Sequence, residues 1–326
     1  MIRHTDHSAE SWFSQRTFRP VEIAPEKMAG VKARRGERIG VCLPALDEAE
    51  TIGPIVSSIR SHLVERSALV DELIVIDSGS RDGTAEIAGR EGAIVHRVQD
   101  LPPEAIRPSR GGKGEALWRS VAVASSDLVV WLDADLRNFG PHFVTNLVWP
   151  LLLDESLVMV KGFYERPLSR DHDKMTPDGA RVTEIAARPL LQLLYPKLKG
   201  VIQPLAGECA IRRAAALEIP FTTGYGVDIG LLIEVVERYG LFSLGQSDLG
   251  TRIHRNRDVQ ALGRTAFQVM QTVLGKLRAR GKIVLAEELS NSLVQFAAER
   301  GQTWTENRLE VEELPPLASA LESSGT

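Results

Sequence analysis

Two carboxylates, Asp133 and Asp135, stand one residue apart just after the apolar run Leu128-Val-Val-Trp-Leu132. A continuous apolar run of that length predicts a strand buried on both faces, here drawn over Ser126 to Asp135. Such a strand delivers both carboxylates to the carboxyl edge of a sheet, where open α/β sheets bind ligands. Paired hard oxygen donors suit a divalent cation that also holds a diphosphate. The alternative for so short a string is a solvated turn, so other residues must decide.

Three further sets of residues bear on that choice. Lys113 lies in Ser109-Arg-Gly-Gly-Lys-Gly-Glu115. That run fails the Walker pattern, because Gly114 rather than Ser or Thr follows the lysine, and it lacks GxGxxG after a first strand. What remains is a glycine loop that brings Lys113 near an anionic group, or a connector with a solvated lysine. His254 sits among Arg252, Arg255 and Arg257. Their charge disfavours imidazolium, and a neutral imidazole can ligate a divalent metal. Asp135, His254 and diphosphate oxygens make a sensible ligand set, and the arginines match phosphate or carboxylate geometry. Finally, two earlier apolar runs also end in polar groups: Ile39 to Pro44, followed by Ala45, Leu46 and Glu48, and Glu72 to Asp77, followed by Ser80. Three strand ends in succession along one sheet edge can carry a nucleotide.

The elements that must position these residues alternate. Strand 39–44, stopped by Pro44, precedes a helix over 52–64, and strand 72–77 precedes a helix over 85–91. Strand 93–97 is followed by a Pro- and Gly-rich loop and a helix over 114–124. After strand 126–135 come a helix over 141–153 and a strand over 157–164. This alternation predicts a parallel sheet with right-handed crossovers. The polar stretch 167–181 has the composition of a loop that closes over substrate. A helix from Arg181 to Tyr195, a loop 203–208 leading into a strand, a helix from Gly224 to Gly240 and a strand region 241–250 follow. Two more helices are expected over 259–280 and 282–299, then an acidic tail from Gly301, extended or disordered at its end. Before residue 39, a short helix with an aromatic face spans 11–18, and Lys32 to Arg38 reads as a solvated linker.

With 326 residues the chain allows about two domains or one elaborated domain. A 43% hydrophobic and 25% charged composition is that of a globular protein. A net charge of −4 and a pI near 6.0 argue against bulk nucleic-acid binding. Both cysteines, Cys42 and Cys209, sit in apolar settings, which predicts buried free thiols in a reducing cytoplasm. The charged N-terminal residues do not form a secretory signal, and no apolar run reaches the ~20 residues that span a bilayer.

An ordered set of short motifs carries a family likeness: Pro44-Ala-Leu-Asp-Glu48, Val75-Ile-Asp-Ser-Gly-Ser80, Gly111-Gly-Lys-Gly-Glu115, Asp133-Ala-Asp135, Gly179-Ala-Arg-Val-Thr-Glu184, Gln203-Pro-Leu-Ala-Gly-Glu208, Gly224-Tyr-Gly-Val-Asp228 and His254-Arg-Asn-Arg257. Together, over about residues 38–300, they resemble the retaining glucosyl-3-phosphoglycerate synthases of actinobacteria and the related mannosyl-3-phosphoglycerate synthases. The resemblance implies an α/β GT-A fold, Rossmann-like, with a mostly parallel central sheet flanked by helices and a C-terminal acceptor-binding helical extension. It implies an N-terminal extension over 1–37, a nucleotide-sugar-binding half over 38–165, an acceptor-binding half over 166–300 and a tail over 301–326. The implied reaction moves glucose from UDP-glucose to the C2 hydroxyl of 3-phosphoglycerate with retention, in a homodimer, with Mg2+ or Mn2+ as cofactor. GDP-mannose as donor is the nearest alternative.

By matching motifs, Pro44, Ala45, Leu46, Glu48 and Ser80 would hold the nucleoside. Asp133 and Ala134 would meet the ribose and sugar, and Asp135 and His254 the metal. Lys113 would lie between donor and acceptor. Arg252 and Arg257 would meet the diphosphate, and Arg181, Val182, Thr183 and Asn256 the phosphoglycerate. The main chain at Leu205 and the carboxylate of Asp228 would face the sugar. Asp228 departs from the Glu that the family carries there, which bears on hexose choice.

Two rivals are weaker. A nucleotidyltransferase would want a Gly-rich, Arg-Lys signature after the first strand, and Pro44-Ala-Leu-Asp-Glu48 lacks it. A degenerate nucleotide-sugar-binding regulator would not keep Lys113, Asp133, Asp135 and His254 together.

Overall fold

The computed structural model describes residues 7–101, 112–165, 168–169, 175–176, 181–253, 258–296 and 304–323. Helix α1 (His7–Arg16), strand β1 (Thr17–Phe18) and helix α2 (Pro25–Arg35) precede the first long strand, β2 (Ile39–Ala45). Then come α3 (Ala49–Ile59), continued by a π-helical turn to Arg66, β3 (Glu72–Asp77), α4 (Thr84–Arg90) and β4 (Ile94–Arg97). Next are α5 (Lys113–Val123), β5 (Leu128–Trp131), α6 (His142–Leu153) and β6 (Met159–Glu165). A short hairpin, β7 (Leu168–Ser169) with β8 (Met175–Thr176), leads to α7 (Arg188–Leu194), β9 (Cys209–Arg212), α8 (Arg213–Glu218) and β10 (Phe221–Thr222). The chain ends with α9 (Val227–Tyr239), β11 (Leu244–Thr251), α10 (Val259–Ala279), β12 (Ser292–Phe296), β13 (Trp304–Arg308), β14 (Glu313–Leu314) and α11 (Leu317–Ser323).

Eight strands form one sheet in the order β1-β11-β6-β9-β5-β2-β3-β4. All neighbours are parallel except β9, which runs antiparallel to β5 and β6. The mostly parallel sheet expected from the alternation is therefore observed. Successive strand residues bury on opposite faces, as the period of two requires. Cys42, Ile74, Ile76, Val129 and Trp131 join the core under α5, α9 and α10. Val41, Leu43, Val75, Leu128 and Val130 join the core under α3 and α6. The reversed strand matters for the site. Because β9 begins where its neighbours end, the loop 203–208 arrives at their carboxyl edge.

Several expectations are corrected. β5 stops at Trp131, and Asp133 to Asp135 lie in the turn beyond it, because the pairing with β9 ends at Trp131↔Cys209. β2 runs one residue past the expected stop at Pro44. Its partner β5 has already ended there, while Pro44 and Ala45 still pair with β3. Residues 32–35 belong to α2 rather than a linker, and buried Lys32 bonds Asp71 at 2.8 Å. The helix expected over 282–299 is absent among the described residues. Gly281, at φ 64°, ends α10, and the chain returns as β12, paired antiparallel with β13. Within the acidic tail, residues 304–323 form β13, β14 and α11: β14 pairs with β10, and Leu314, Leu317 and Ala320 are buried. The loop expected to close over substrate, 167–181, lies largely outside the described residues.

Candidate active site

The candidate site is built by adjacency. β5, β2 and β3 are neighbours, so their carboxyl ends share one edge. The loops that follow brace one another: Asp47 N donates to Ser80 Oγ at 2.9 Å, Glu48 N to Thr84 Oγ1 at 2.8 Å, and Arg81 N to Asp47 Oδ1 at 2.8 Å. Thr51 Oγ1 donates to the Ala134 carbonyl at 2.6 Å, tying α3 to the Asp-Ala-Asp turn. On the other side, Asn138 Nδ2 donates to Thr251 O and Ile253 N to Asn138 Oδ1, which pins the end of β11 to the same turn. A cavity of about 560 Å³ opens on this edge, floored by Pro44 to Leu46, Glu48, Ser78 and Asp133 to Asp135.

At its base lies a cluster of charges. Lys113 Nζ stands 2.8 Å from Asp133 Oδ1 and 3.1 Å from Asp228 Oδ2. Arg252 Nη2 donates to Asp133 Oδ2 at 2.9 Å and to Asp135 Oδ1 at 2.7 Å. Its other arm reaches Tyr164 Oη at 2.7 Å and Glu208 Oε1 at 3.3 Å. Lys113 opens α5, and Asp228 lies in the first turn of α9. Burial by itself would raise the Asp133 carboxyl, but Lys113 and Arg252 outweigh it and hold that group far below the usual carboxylate range. Burial would lower Lys113, yet Asp133 and Asp228 overturn it and hold the ammonium well above its ordinary value. Arg252 is likewise raised: burial opposes its charge, and Glu208 leads the groups that outweigh it.

The sign of these shifts fixes a pH window. Asp133 contributes its charge above its unfolded value of about 3.9 and loses it only below its depressed folded value. Lys113 contributes below about 10.4 and loses its charge only above its raised folded value. Asp133 and Lys113 therefore both keep their charge from about pH 5 to 9. A nitrogen-15 NMR titration should find its ammonium still protonated at pH 9; a midpoint below that would contradict this.

Two glycines make the cluster possible. A Cβ on Gly207 would lie 2.3 Å from Asp133 Oδ1 and 2.4 Å from Lys113 Nζ. One on Gly114 would lie 2.0 Å from the Thr222 carbonyl oxygen, so α5 packs directly on β10. Beneath them, buried Lys161 donates to the Ala206 carbonyl at 2.6 Å, supporting the 203–208 loop.

Residues 40–219 match glycosyl transferase family 2. The chain belongs to that family. A glucosyl-3-phosphoglycerate synthase of Mycolicibacterium paratuberculosis is 44% identical over 317 residues, which are 94% of this chain and 92% of the relative. The solved mannosyl-3-phosphoglycerate synthase of Rubrobacter xylanophilus superposes with a TM-score of 0.87 at 35% identity, covering 95% of this chain and 99% of that one. Glucosyl-3-phosphoglycerate synthase of Mycobacterium tuberculosis, solved with Mn2+, UDP-glucose and phosphoglyceric acid, gives 0.79 at 41% identity over 93% and 98% of the two chains. The GT-A fold expected from the motifs is shared with these solved relatives.

In this glycosyltransferase the structure brings Lys113, Asp133, Asp135, Asp228 and Arg252 into one contiguous cluster. Pro44, Ala45, Leu46, Glu48 and Ala134 line the cavity with Lys113, Asp133 and Asp135. Ser78 lines it too, whereas Ser80 stands behind as the acceptor for Asp47 N. Leu205 is half-buried and packs against the core. Arg181 and Val182 open the helical segment that α7 continues, with Thr183 buried in its π-helical turn. His254, Asn256 and Arg257 lie outside the described residues. The carboxylate pair fits a divalent cation: both already share one cationic nitrogen, Arg252 Nη2, and Asp135 opens on the cavity. Among the described residues no group of three acidic, histidine or cysteine side chains surrounds that position.

Sequence reasoning assigned no role to Tyr164, Lys161, Gly207 or Glu208. Gly207 and Glu208 were visible as the end of the Gln203-Pro-Leu-Ala-Gly-Glu208 motif. Nothing in the local sequence placed Lys161 or Tyr164, since both meet the site only through sheet pairing.

Proposed function

We propose that this glycosyltransferase moves glucose from UDP-glucose to the C2 hydroxyl of 3-phosphoglycerate with retention, giving glucosyl-3-phosphoglycerate. The observation that carries the reading is the Lys113–Asp133–Arg252–Asp135 cluster at the base of a nucleotide-sized cavity on the sheet edge. The 44% identity to a glucosyl-3-phosphoglycerate synthase supports the choice of reaction, and the Mn2+, UDP-glucose and phosphoglyceric acid bound by a solved relative support the substrates.

On this reading Pro44, Ala45, Leu46, Glu48 and Ser80 hold the nucleoside, and Asp133 and Ala134 hold the ribose and sugar. Asp135 and His254 hold Mg2+ or Mn2+, which when bound neutralises charge on the leaving diphosphate. Arg252 and Arg257 face that diphosphate. Arg181, Val182, Thr183 and Asn256 hold the acceptor. Lys113 stabilises developing charge between donor and acceptor. The Leu205 main chain and Asp228 orient the sugar. The acceptor hydroxyl attacks from the face the diphosphate leaves, and a diphosphate oxygen takes its proton. Asp228 is buried and bonded to Lys113, which supports an orienting role over that of a free nucleophile.

The enzyme acts as a homodimer in the cytoplasm on the same reading. Ile185, Val259, Phe296 and Trp304 are exposed on elements grouped around α10 and its hairpin, an apolar face that a second copy would cover. Cys42 and Cys209 are buried free thiols, as a reducing compartment allows. Mannose transfer from GDP-mannose is the second reading, favoured by the likeness to the mannosyl synthase. A donor panel with 3-phosphoglycerate and Mg2+ separates them. UDP-glucose should turn over fastest; a faster rate with GDP-mannose would reverse the assignment.

A further inference from the structure

Residues 304–323 lie beyond the stretch that matches the transferase family, yet they wall the cavity. Arg308, Leu309, Glu310 and Glu312 all line it. The strap that carries them is fastened at several points. Thr223 N donates to the Glu312 carbonyl and Glu312 N to Thr223 Oγ1, both at 2.9 Å. Phe221 and Thr222 pair with Leu314 and Glu313 in β10 and β14. Trp118 Nε1 donates to the Pro315 carbonyl at 2.9 Å, and buried Lys276 holds Glu313 at 2.6 Å. Leu314, Leu317 and Ala320 are buried. The strap is also linked to the element that carries Lys113, because β10, its strand partner, is the strand against which Gly114 packs without room for a Cβ.

The cavity must take polyanions, and its lining offers two cationic side chains among the described residues, Lys113 and Arg308. Lys113 is committed to Asp133 and Asp228. Arg308 is exposed, and among the described residues its guanidinium forms no ion pair. A guanidinium carried by a cavity-lining residue and not paired with a carboxylate is suited to bind an incoming oxyanion in a bidentate manner.

We infer that the C-terminal strap completes the substrate site and that Arg308 is an oxyanion-binding residue in it, contacting either the diphosphate of the donor or the phosphate or carboxylate of the acceptor. The inference rests on the proposed transferase reading for the identity of these anions. Its test reads binding as well as turnover, so the two can fail separately. Calorimetric titration of wild type, Arg308→Ala and Arg308→Lys with UDP plus Mn2+, and separately with 3-phosphoglycerate, is paired with steady-state KM for UDP-glucose and for 3-phosphoglycerate.

Losing one charge-assisted contact should weaken the contacted ligand about tenfold, in Kd and KM alike, with kcat within about twofold. The lysine variant should recover part of the loss. Weakening of UDP assigns Arg308 to the diphosphate, and weakening of 3-phosphoglycerate assigns it to the acceptor. If neither ligand changes in Kd or KM, or if kcat alone falls, the inference is wrong. A wild type that turns over no donor would sink the transferase reading but leave the two titrations decisive for Arg308.

Discussion

Asp135→Ala should lower kcat/KM by about a thousandfold or more, close to 4 kcal/mol of transition-state stabilisation. The fold should persist. Asp135 lies in the turn beyond β5, and its carboxylate accepts from Arg252. Without it, Arg252 keeps Asp133, Tyr164 and Glu208, so no buried charge is stranded. The cost to stability is that of one charge-assisted hydrogen bond, about 1–2 kcal/mol, or a few degrees in Tm. Mn2+ binding, read by electron paramagnetic resonance, should disappear together with activity. A variant that transfers at the wild-type rate, or binds Mn2+ as the wild type does, would remove Asp135 from the metal site.

Gly207→Ala should be nearly as damaging, by a different route. The backbone at Gly207 passes close to the cluster, and the added methyl would sit 2.3 and 2.5 Å from the two Asp133 oxygens and 2.4 Å from Lys113 Nζ. The atoms in its way are side-chain ends rather than backbone, so the sheet survives and the ion pair yields. Displacing it moves Asp133 off the position set by Lys113 and Arg252, and a misplacement of that size costs about a hundredfold in rate. Stability should fall by about 1–3 kcal/mol, as for overpacking elsewhere. Gly275→Ala in α10 is the matched control, because a Cβ there meets nothing within 4 Å. Circular dichroism melts and kcat for the two variants check the contrast. Equal activity in both would mean that the packing of residue 207 on the ion pair is irrelevant to transfer.

The sheet was readable because its strands are buried on both faces and announce themselves as apolar runs: Glu72–Asp77 matches the expected strand at both ends. The acidic and polar residues at the strand ends were readable for the same reason, since a parallel sheet carries all such ends to one edge. The C-terminal region was not. Residues 282–299 carry apolar side chains at helical spacing, and what makes Ser292–Phe296 a strand is its pairing with Trp304–Arg308, a contact across the chain that local periodicity does not encode. Likewise the acidic composition after Gly301 conceals three residues, Leu314, Leu317 and Ala320, that bury only because β10 and α8 receive them. At the N-terminus the aromatic face was seen, but not that Trp12 would be fully buried with its indole N–H on the Leu244 carbonyl.

The site's supports were hidden by distance in sequence. Gly207 meets Lys113 and Asp133 across 94 and 74 residues, and no short motif states such a meeting. The sheet creates it. The reversed strand β9 inserts between β5 and β6 and brings its leading loop to the edge where the Asp-Ala-Asp turn already stands.

The most direct test is a proton NMR record of the reaction with UDP-glucose, 3-phosphoglycerate and Mg2+. The account predicts a new anomeric signal with the small coupling of an α-linked glucose, growing with one UDP released per product and absent when acceptor or metal is withheld. A β-linked product would contradict retention, and no product with this donor and acceptor would contradict the assignment of the site.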